Sequence, residues 1–441
     1  MAKINKKLIF IQFNEINFKL LTKYTEKYNF VNLKKILKLN SINTNSEKKY
    51  ELLEPWIQWL TIYTGKSADD HKIFRLGDVK NLKNTKLIFD KIEEIGLNVG
   101  CIAPMNAINN LKNPSYFISD PWTNTNNDNS FWSSKISKLI SKLVNNNSSG
   151  KISLKDIFSL ILIIIRFTRI SKYLFLFSLI IKSKNKKWYR ALLLDFILHE
   201  VHLNYFKLTK PDLSTIFFNA GAHIQHHYLF FSEFNNSKLK DSLPWYLSKN
   251  SDPLFDSMKF YDNIFKDYFE LNDIDILLAT GLSQTTLDEL IFYYRLKDHN
   301  KFINNLNIRY LNIQPRMSRD FLINFTNETD AKLAEKIFKE SYEISTNLKI
   351  FEEVDNRGKS LFITLTYHRE IKKNMKIKIN NQIVDFFSEV NFVAIKNGLH
   401  NGNGYLYHQE NFQINSQKSE INIKEIFNLI ENYFGDKVND N

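Results

Sequence analysis

The sequence predicts an α/β fold in which a central, mainly parallel sheet is flanked by helices and carries a helical insertion as a cap. Three observations support this prediction. Short apolar runs of strand length recur along the chain, and stretches with helical spacing lie between several of them. A histidine-rich cluster follows directly on one of these runs. Open α/β sheets place their ligand chemistry there, beyond the carboxyl ends of the strands.

The apolar runs that we interpret as strands lie at 8–13, 98–103, 214–219, 275–280, 360–366 and 391–395. Two of the intervening stretches have helical spacing, Leu87 to Ile95 and Ala331 to Phe351. Alternation of strands with helices favours parallel pairing, because a parallel connection needs a long crossover that is usually helical.

The predicted core comprises residues 1–125 and 210–441, and residues 126–209 form the predicted helical insertion. Polar stretches at 124–134 and 145–150 border or interrupt the segment in which the sequence composition changes. The chain has 441 residues, of which 43% are hydrophobic and 24% charged, so it can bury a large core. One large domain with an insertion and two separate domains both fit this length.

The chain is basic, with a formal net charge of +13. Lysine is abundant throughout and no compact arginine-rich patch with interleaved aromatic residues is present, so we predict no nucleic-acid partner. An anionic membrane surface or a phosphorylated substrate fits the charge. The single cysteine, Cys101, excludes an internal disulfide and favours a cytoplasmic location.

Two apolar runs lie inside the insertion, at 157–165 and 173–181, with Arg166 and Arg169 between them. Each run is shorter than the roughly 20 residues that a membrane-spanning helix needs. We favour a buried helical hairpin that caps the sheet. The alternative is a pair of interfacial helices that makes peripheral membrane contact through residues 157–181.

The histidine cluster contains His223, His226 and His227, directly after the run at 214–219. Imidazole is the commonest metal ligand and a frequent proton shuttle near neutral pH. Hydrogen-bonded, structural histidines on a helix are the alternative for His226 and His227. The cluster therefore locates a candidate site without fixing its chemistry.

Three further features could contribute to a site. Residues 54–66 predict a helix closed by Gly65, whose first turn could meet an anion. Asp195, His199 and His202 lie four and three residues apart and share one helical face, which suits a second metal site or a structural helix. The glycines between 398 and 404 predict a mobile loop that delivers His400.

The order of these elements resembles the alkaline phosphatase superfamily, with the type I phosphodiesterase and nucleotide pyrophosphatase group as its nearest branch. The resemblance rests on five features: a first strand that ends in a polar pair, a helix that ends in Tyr-Thr-Gly, an Asn-x-x-x-His element, a strand that ends near Thr-Gly, and a late Gly/His segment. It covers residues 5–125 and 210–410. It implies phosphoryl chemistry in which two divalent metals, usually zinc, flank a Thr or Ser nucleophile.

Carried over to this chain, the family pattern is incomplete. The ligand on the first strand becomes Asn14, with Glu15 beside it, and the Asp-x-x-x-His pair becomes Asn219 and His223. The later Asp-His pair falls at Thr280-Gly281, which supplies neither ligand.

The last histidine ligand of the family has candidates in His400 and His408. The nucleophile position falls near Pro55, which carries no hydroxyl, while Thr61 lies farther along the same helix. The resemblance therefore implies one divalent metal, zinc or manganese, or none.

These considerations give a set of expected site residues. The expected metal ligands are Asn219, His223 and His400. The expected catalytic groups are His223, His227 and Glu15. The residues expected to bind substrate are Arg316, Arg319, Asn14, Gln58 and Thr280. For the two arginines, an exposed helix start is the alternative.

We expect either a hydrolase or transferase that acts on a phosphorus-linked group, or a descendant that binds such a ligand without the two-metal reaction. The expected substrate is an anionic small molecule, such as a nucleotide-activated sugar or another glycan precursor. These two hypotheses stay open at the level of sequence.

Overall fold

The computed structural model describes residues 7–145, 153–248, 250–316, 319–412 and 418–435. The chain forms two compact units. The described residues of the first unit fall within 1–141, 153–286 and 398–441, and those of the second unit fall within 142–152 and 287–397. Most of the predicted insertion thus lies in the same unit as the central sheet. Residues 146–152, in and beyond the predicted polar border at 145–150, lie outside the described residues.

Strands and helices are numbered along the chain. The central sheet of the first unit contains β1 (Leu8–Phe13), β2 (Asn40–Asn45), β3 (Val99–Ile102), β4 (Tyr116–Ile118), β5 (Leu213–Phe218), β6 (Asp275–Ala279), β16 (Asn403–His408) and β17 (Glu420–Asn422). Their order is β17-β2-β16-β6-β1-β5-β3-β4. All neighbours pair in parallel except at β16, which is antiparallel to both β2 and β6. The predicted fold class is confirmed.

The three central strands are buried along almost their whole length, as expected for a parallel sheet covered on both faces. The covering helices of the first unit, apart from the insertion, are α1 (Phe18–Tyr28), α2 (Val31–Leu37), α3 (Pro55–Thr64), α4 (Ala68–His71), α5 (Ile88–Glu94), α10 (Ala220–Tyr228), α11 (Pro253–Phe269) and α15 (Glu425–Gly435). The predicted helix at 87–95 is confirmed as α5, and the helix predicted to end at Gly65 is confirmed as α3.

One edge of the sheet gathers the polar residues. The carboxyl ends of β1, β5 and β6 meet there, because these strands are adjacent and parallel. The antiparallel β16 begins at the same edge, since Leu406 pairs with Ala279 at the end of β6. The residues that follow β1, β5 and β6 and the residues that precede β16 are therefore brought together.

The segment predicted as an insertion contains the helices α6 (Phe131–Asn145), α7 (Leu154–Phe167), α8 (Tyr173–Asn185) and α9 (Tyr189–Thr209). Helix α9 packs on β3 and β5, and α7 and α8 pack on α9. The favoured prediction of a buried hairpin is wrong for the outer faces of α7 and α8, where Phe158 is 61% exposed and Leu174 is 86% exposed.

Arg169, at the junction of α7 and α8, connects this helical hairpin to α9 and α11 of the same unit. The Arg169 guanidinium donates to the Glu200 carboxylate of α9 and, at 2.7 and 3.0 Å, to the Asp267 carboxylate of α11. Lys172 adds a contact of 2.8 Å to Asp267. Both carboxylates are buried, so each needs this compensation.

The second unit is built mainly from antiparallel strands. Its strands are β8 (Asn312–Pro315), β9 (Asp320–Asn324), β10 (Tyr342–Glu343), β11 (Glu353–Asn356), β12 (Ser360–Thr364), β13 (Lys376–Ile379) and β14 (Gln382–Asp385). Its helices are α12 (His299–Asn305), α13 (Glu328–Lys339) and α14 (Phe386–Glu389). A separate two-stranded sheet joins β7 (Ser283–Leu296) and β15 (Val390–Asn401). The runs predicted as strands at 360–366 and 391–395 are strands, but they lie outside the central sheet.

Two local predictions in this region are wrong. The helix predicted from Ala331 to Phe351 ends at Lys339, because the Glu343 carboxylate accepts hydrogen bonds from the backbone amides of residues 345 and 346 and thus stabilises a turn. The helix start considered around Arg316 and Arg319 is instead the connection between β8 and β9; residues 317 and 318 within it are outside the described part of the chain.

The glycine-containing segment at 398–404 is also different from the prediction. It delivers His400 as expected, but His400 lies in β15, which pairs with β7, and the next strand, β16, pairs with β2 and β6. Gly398 is required by a close approach, since a Cβ at this position would lie 2.1 Å from the Gln284 Oε1 atom.

Replacement of Arg169 tests the attachment of the hairpin. We expect Arg169→Met to lower the free energy of unfolding by about 3 kcal/mol, because it leaves two buried carboxylates with less compensation. Urea denaturation followed by circular dichroism measures this change. Arg166→Met is the matched control, since Arg166 is exposed and its hydrogen bond to Asn204 is long, at 3.5 Å. Equal destabilisation by the two substitutions would contradict the role of Arg169.

Candidate functional site

Three side chains converge at the carboxyl edge of the central sheet. The Glu15 Oε2 atom lies 3.0 Å from His226 Nε2 and 3.2 Å from His400 Nε2. The two Nε2 atoms lie 3.3 Å apart. Glu15 follows β1, His226 lies on α10, and His400 lies near the end of β15. We call these three residues the Glu-His-His cluster.

The backbone of Glu15 is held in an unusual conformation. Its φ angle is +58°, in the left-handed region that non-glycine residues seldom adopt. Its amide donates to the Thr280 carbonyl at 3.0 Å, and its carbonyl accepts from Gln225 Nε2 at 2.9 Å. Such a conformation costs on the order of 1–3 kcal/mol and clusters at functional sites. The surrounding hydrogen bonds fix the direction of the Glu15 side chain.

The Glu15 carboxylate is buried and ionised. Burial raises its pKa, but the charges of His226 and His400 and their hydrogen bonds together outweigh that effect and hold the pKa well below its usual range. Asn14 Nδ2 donates to Oε1 at 2.9 Å, and Gln284 Nε2 donates to Oε2 at 2.5 Å. Both oxygens of the carboxylate therefore have a fixed amide donor in addition to the histidines.

The hydrogen bonds of Asn14 orient its side chain towards the Glu15 carboxylate. Its Oδ1 atom accepts from Trp59 Nε1 at 2.7 Å, which turns its Nδ2 atom towards Glu15 and towards Asn219 Oδ1, 2.8 Å away. The side chain is 1% exposed. In this arrangement Asn14 orients the site residues, and its amide oxygen points to an indole.

Asp195 of α9 positions the helix that carries His226. Its carboxylate accepts from the backbone amides of Asn219 and Ala220, at 3.3 and 3.0 Å, and so caps the first turn of α10. Tyr261 donates to the same carboxylate at 2.7 Å. Burial raises the pKa of Asp195 to about 7, although these three hydrogen bonds lower it.

His400 has a carboxylate on its other side. Its Nδ1 atom lies 3.8 Å from Glu54 Oε2, at the start of α3. When a metal ion takes the place of the proton on Nε2, this carboxylate would favour the remaining proton on Nδ1. Glu54 is partly exposed, so the cluster is bordered by an acidic group that is open to solvent.

The cluster fits one divalent metal ion. Ligand atoms around a tetrahedral zinc ion, each about 2.0–2.1 Å from the metal, are about 3.3–3.4 Å from one another. The three atoms of the Glu-His-His cluster are 3.0–3.3 Å apart, and two imidazoles with one carboxylate form a known catalytic ligand set. The side chains of His226 and His400 are 25% and 11% exposed, so the cluster is reached by solvent on their side.

A second group of possible ligands, His199, Glu200 and Asp267, does not fit a metal ion. Its two carboxylates are already paired with Arg169 and Lys172. His199 Nε2 lies 2.9 Å from Asp267 Oδ2 within the same network. The helical face predicted from Asp195, His199 and His202 is therefore structural in this fold, with Asp195 at the cap of α10.

The structure brings Glu15 and His400 of the expected residues together and adds His226 to them. His223 and His227 lie on the same helix with their ring centroids 4.8 Å apart, outside the Glu-His-His cluster. Asn219 contacts Asn14. The roles predicted for these three residues stay predictions.

The remaining expected residues are placed as follows. Thr280 is buried, and its Oγ1 atom accepts from the Tyr405 amide at 2.9 Å. Gln58 is buried and donates to the Leu52 carbonyl at 2.6 Å. Arg316 and Arg319 belong to the second unit, where the Arg319 guanidinium lies 4.3 Å from the centroid of the Tyr293 ring. The substrate-binding roles of these residues stay predictions.

Sequence reasoning did not identify His226 as the partner of Glu15, and it did not identify Glu54 or Gln284. For His226 the signal was present, because it lies in the histidine cluster one turn beyond His223. Glu54 directly precedes Pro55, where the resemblance places the nucleophile. Gln284 gave no sequence signal.

The fold and the cluster together define an α/β protein with a candidate metal-dependent site at the carboxyl edge of its sheet. No protein-family model and no curated protein matches the sequence. Phosphonoacetate hydrolase from Sinorhizobium meliloti 1021 aligns with a TM-score of 0.44 and 9% identity, over 97% of this chain and 96% of that chain. Alkaline phosphatase PafA aligns with a TM-score of 0.43 and 10% identity, over 96% and 94% of the two chains.

Murine ectonucleotide pyrophosphatase/phosphodiesterase 5 aligns with a TM-score of 0.38 and 9% identity, over 97% of this chain and 95% of that chain. All three proteins are members of the superfamily that the sequence resembles. At these identities and TM-scores the likeness concerns the overall fold, and residue roles rest on the contacts of this chain alone.

The raised pKa of Asp195 gives a prediction about stability. Between about pH 4 and pH 7 this carboxyl is protonated in the folded chain and ionised in the unfolded chain, so its contribution to stability falls by about 1.4 kcal/mol for each pH unit of increase. Asp195→Asn removes this titration. We expect the difference between the unfolding free energies of the wild type and the variant to change across this window and to level off above pH 7. A constant difference would contradict the prediction.

The metal ligands are tested by zinc affinity. We expect Glu15→Gln, His226→Ala and His400→Ala each to lower the affinity at least about 100-fold, since loss of a supporting hydrogen bond alone costs 10–100-fold. Titration calorimetry of the chelator-treated protein measures this change. His368→Ala in the second unit is the control, and His223→Ala separates the observed cluster from the ligand set expected from sequence. Loss of zinc with His223→Ala but not with His226→Ala would contradict the cluster.

Proposed function

We propose that the protein is a metal-dependent hydrolase or transferase that acts on a phosphorus-linked group, with one divalent ion held by Glu15, His226 and His400. The observation that carries this proposal is the triangle of one carboxylate oxygen and two imidazole nitrogens with edges of 3.0–3.3 Å. The phosphorus chemistry is supported by the resemblance of the sequence to the alkaline phosphatase superfamily.

A divalent ion held by Glu15, His226 and His400 would supply Lewis-acid polarisation of a phosphoryl oxygen and would lower the pKa of a water molecule. The protein contributes the charge and the geometry. Glu15 brings one negative charge, so the loaded cluster keeps a net positive charge that attracts an anionic substrate. Asn14 and Gln284 orient the Glu15 carboxylate, and Glu54 lies beside His400.

The attacking group in the proposed reaction is a water molecule or the hydroxyl of an acceptor. Position 55 carries proline, and Thr61 is buried with its Oγ1 atom 3.2 Å from His71 Nε2, so neither offers a free hydroxyl nucleophile. Glu54 lies beside the cluster and is open to solvent, which suits it to accept the proton of the attacking group. The substrate class that we propose is a nucleotide-activated sugar or another phosphorylated glycan precursor.

A protein that binds such a ligand without turnover is the second candidate. It is favoured by the missing hydroxyl at position 55 and by the single fitting metal cluster among the described residues. The two candidates differ in a measurable way, because a binding protein retains its ligand unchanged while an enzyme releases a product.

The experiment compares turnover of bis-p-nitrophenyl phosphate, p-nitrophenyl phosphate and UDP-glucose by zinc-loaded, manganese-loaded and chelator-treated protein. We expect metal-dependent release of product from a diester or the pyrophosphate, lowered at least about 100-fold by Glu15→Gln. With saturating metal, Glu54→Gln should lower kcat about 100-fold, in the range of general-base catalysis. Metal-dependent binding of UDP-glucose without any product would instead establish the second candidate.

A further inference from the structure

The helical hairpin α7–α8 presents a continuous apolar surface to solvent. On α7 the exposed large side chains recur every three or four residues and form one stripe: Leu154, Ile157, Phe158, Ile161 and Ile165. Ile170 at the junction is 90% exposed. On α8 the stripe continues with Tyr173, Leu174, Phe177 and Ile181.

These stripes face away from the protein. The opposite faces of the two helices carry the buried side chains, Ile163 and Phe167 on α7 and Leu176 and Leu179 on α8. Phe167 contacts Tyr205 of α9 with a centroid distance of 5.4 Å. Each helix thus has one apolar face that packs on α9 and a second that packs on nothing else in the described chain. We call the second the outer face of the hairpin.

The segment of the chain that carries the outer face has an almost entirely positive set of charged residues, of which Arg169, Lys172 and Lys186 pair with acidic residues outside it. Residues 131–190 contain thirteen Lys and Arg and a single acidic residue, Asp156. The whole chain contains 60 basic and 47 acidic residues, so the part outside 131–190 is close to neutral. Twelve of the thirteen net positive charges of the protein therefore belong to the segment that carries the exposed apolar surface.

We propose that the outer face of the hairpin docks on an anionic lipid membrane surface. Exposed apolar area bordered by basic residues is the composition that binds the interface of a membrane, where the apolar side chains enter the acyl region and the cations meet the headgroups. A second copy of the chain is a poorer partner, because it would bring one segment with excess positive charge against another.

The hairpin lies on the membrane and does not cross it. No helix in the described residues is both long enough and apolar enough to span a bilayer. Helix α7 has 14 residues, so it is about 21 Å long, against roughly 30 Å of hydrocarbon. Attachment through Arg169 to α9 and α11 keeps both helices at the surface of the folded unit.

Flotation of the full-length protein with lipid vesicles tests this docking. We expect binding to equimolar phosphatidylcholine and phosphatidylglycerol, little binding to phosphatidylcholine alone, and release by high salt, which screens the attraction. Lys155→Glu with Lys184→Glu should lower the partition coefficient on the order of 30-fold. Lys372→Glu with Lys373→Glu, on the second unit, is the matched control and should have no effect.

The apolar contribution is tested by Phe158→Ser, Ile165→Ser and Phe177→Ser combined. Since all three side chains are about 60% exposed, the fold should persist, and the partition coefficient should fall at least about 100-fold. Leu311→Ser, Leu333→Ser and Ile383→Ser, similarly exposed in the second unit, form the control. Equal binding of wild type to both vesicle types would overturn the proposal. So would a wild-type dimer in analytical ultracentrifugation that the first triple variant converts to a monomer.

Discussion

The site depends on one electrostatic interaction, the contact of an ionised, buried carboxylate with two imidazoles. Glu15 is 2% exposed, and its burial is tolerated because His226, His400 and two amide donors surround both of its oxygens. The same contacts hold its backbone in the left-handed region. Because each of β1, α10 and β15 contributes one member, the cluster forms only when these distant parts of the chain have come together. The order of the central sheet is thus a precondition of the chemistry that we propose.

Helix α9 contacts helix α10, the junction of the α7–α8 hairpin and the central sheet, and the proposed functions depend on these three regions. Its Asp195 caps α10, which carries His226, and its Glu200 accepts the guanidinium of Arg169 at the root of the hairpin. It also packs directly on β3 and β5. The position of α10 and the presentation of the hairpin are therefore set by one rigid element. In this fold a helix from the insertion takes part in building the site, although sequence composition separates the insertion from the core.

Much of the fold could be predicted from the sequence, because buried parallel strands are continuous apolar runs. The runs at 8–13, 214–219 and 275–280 correspond to the three central strands. The strands towards the edge of the sheet were harder to predict from the sequence. Strand β2 is largely polar and exposed, and it pairs with β16, whose residues lie more than 350 positions away in the chain. The histidine cluster and Glu15 pointed to the candidate site. The residues of the Glu-His-His cluster could not be derived from the sequence, because whether His226 or His223 meets Glu15 depends on the rotation of α10 about its axis. The contacts of Asp195 and Gln225 set that rotation.

The uneven distribution of charge has a consequence beyond docking itself. Lysines are spread along the whole chain, but acidic residues are nearly absent from residues 131–190, so the excess positive charge is concentrated in the segment that carries the hairpin. The protein therefore carries its excess charge unevenly along the chain. In the field of a charged surface or a polyanion it would turn before contact, with the hairpin leading, and its encounters would be oriented instead of random. The arrival of this protein at a surface would then be faster at low ionic strength and would already present one defined side.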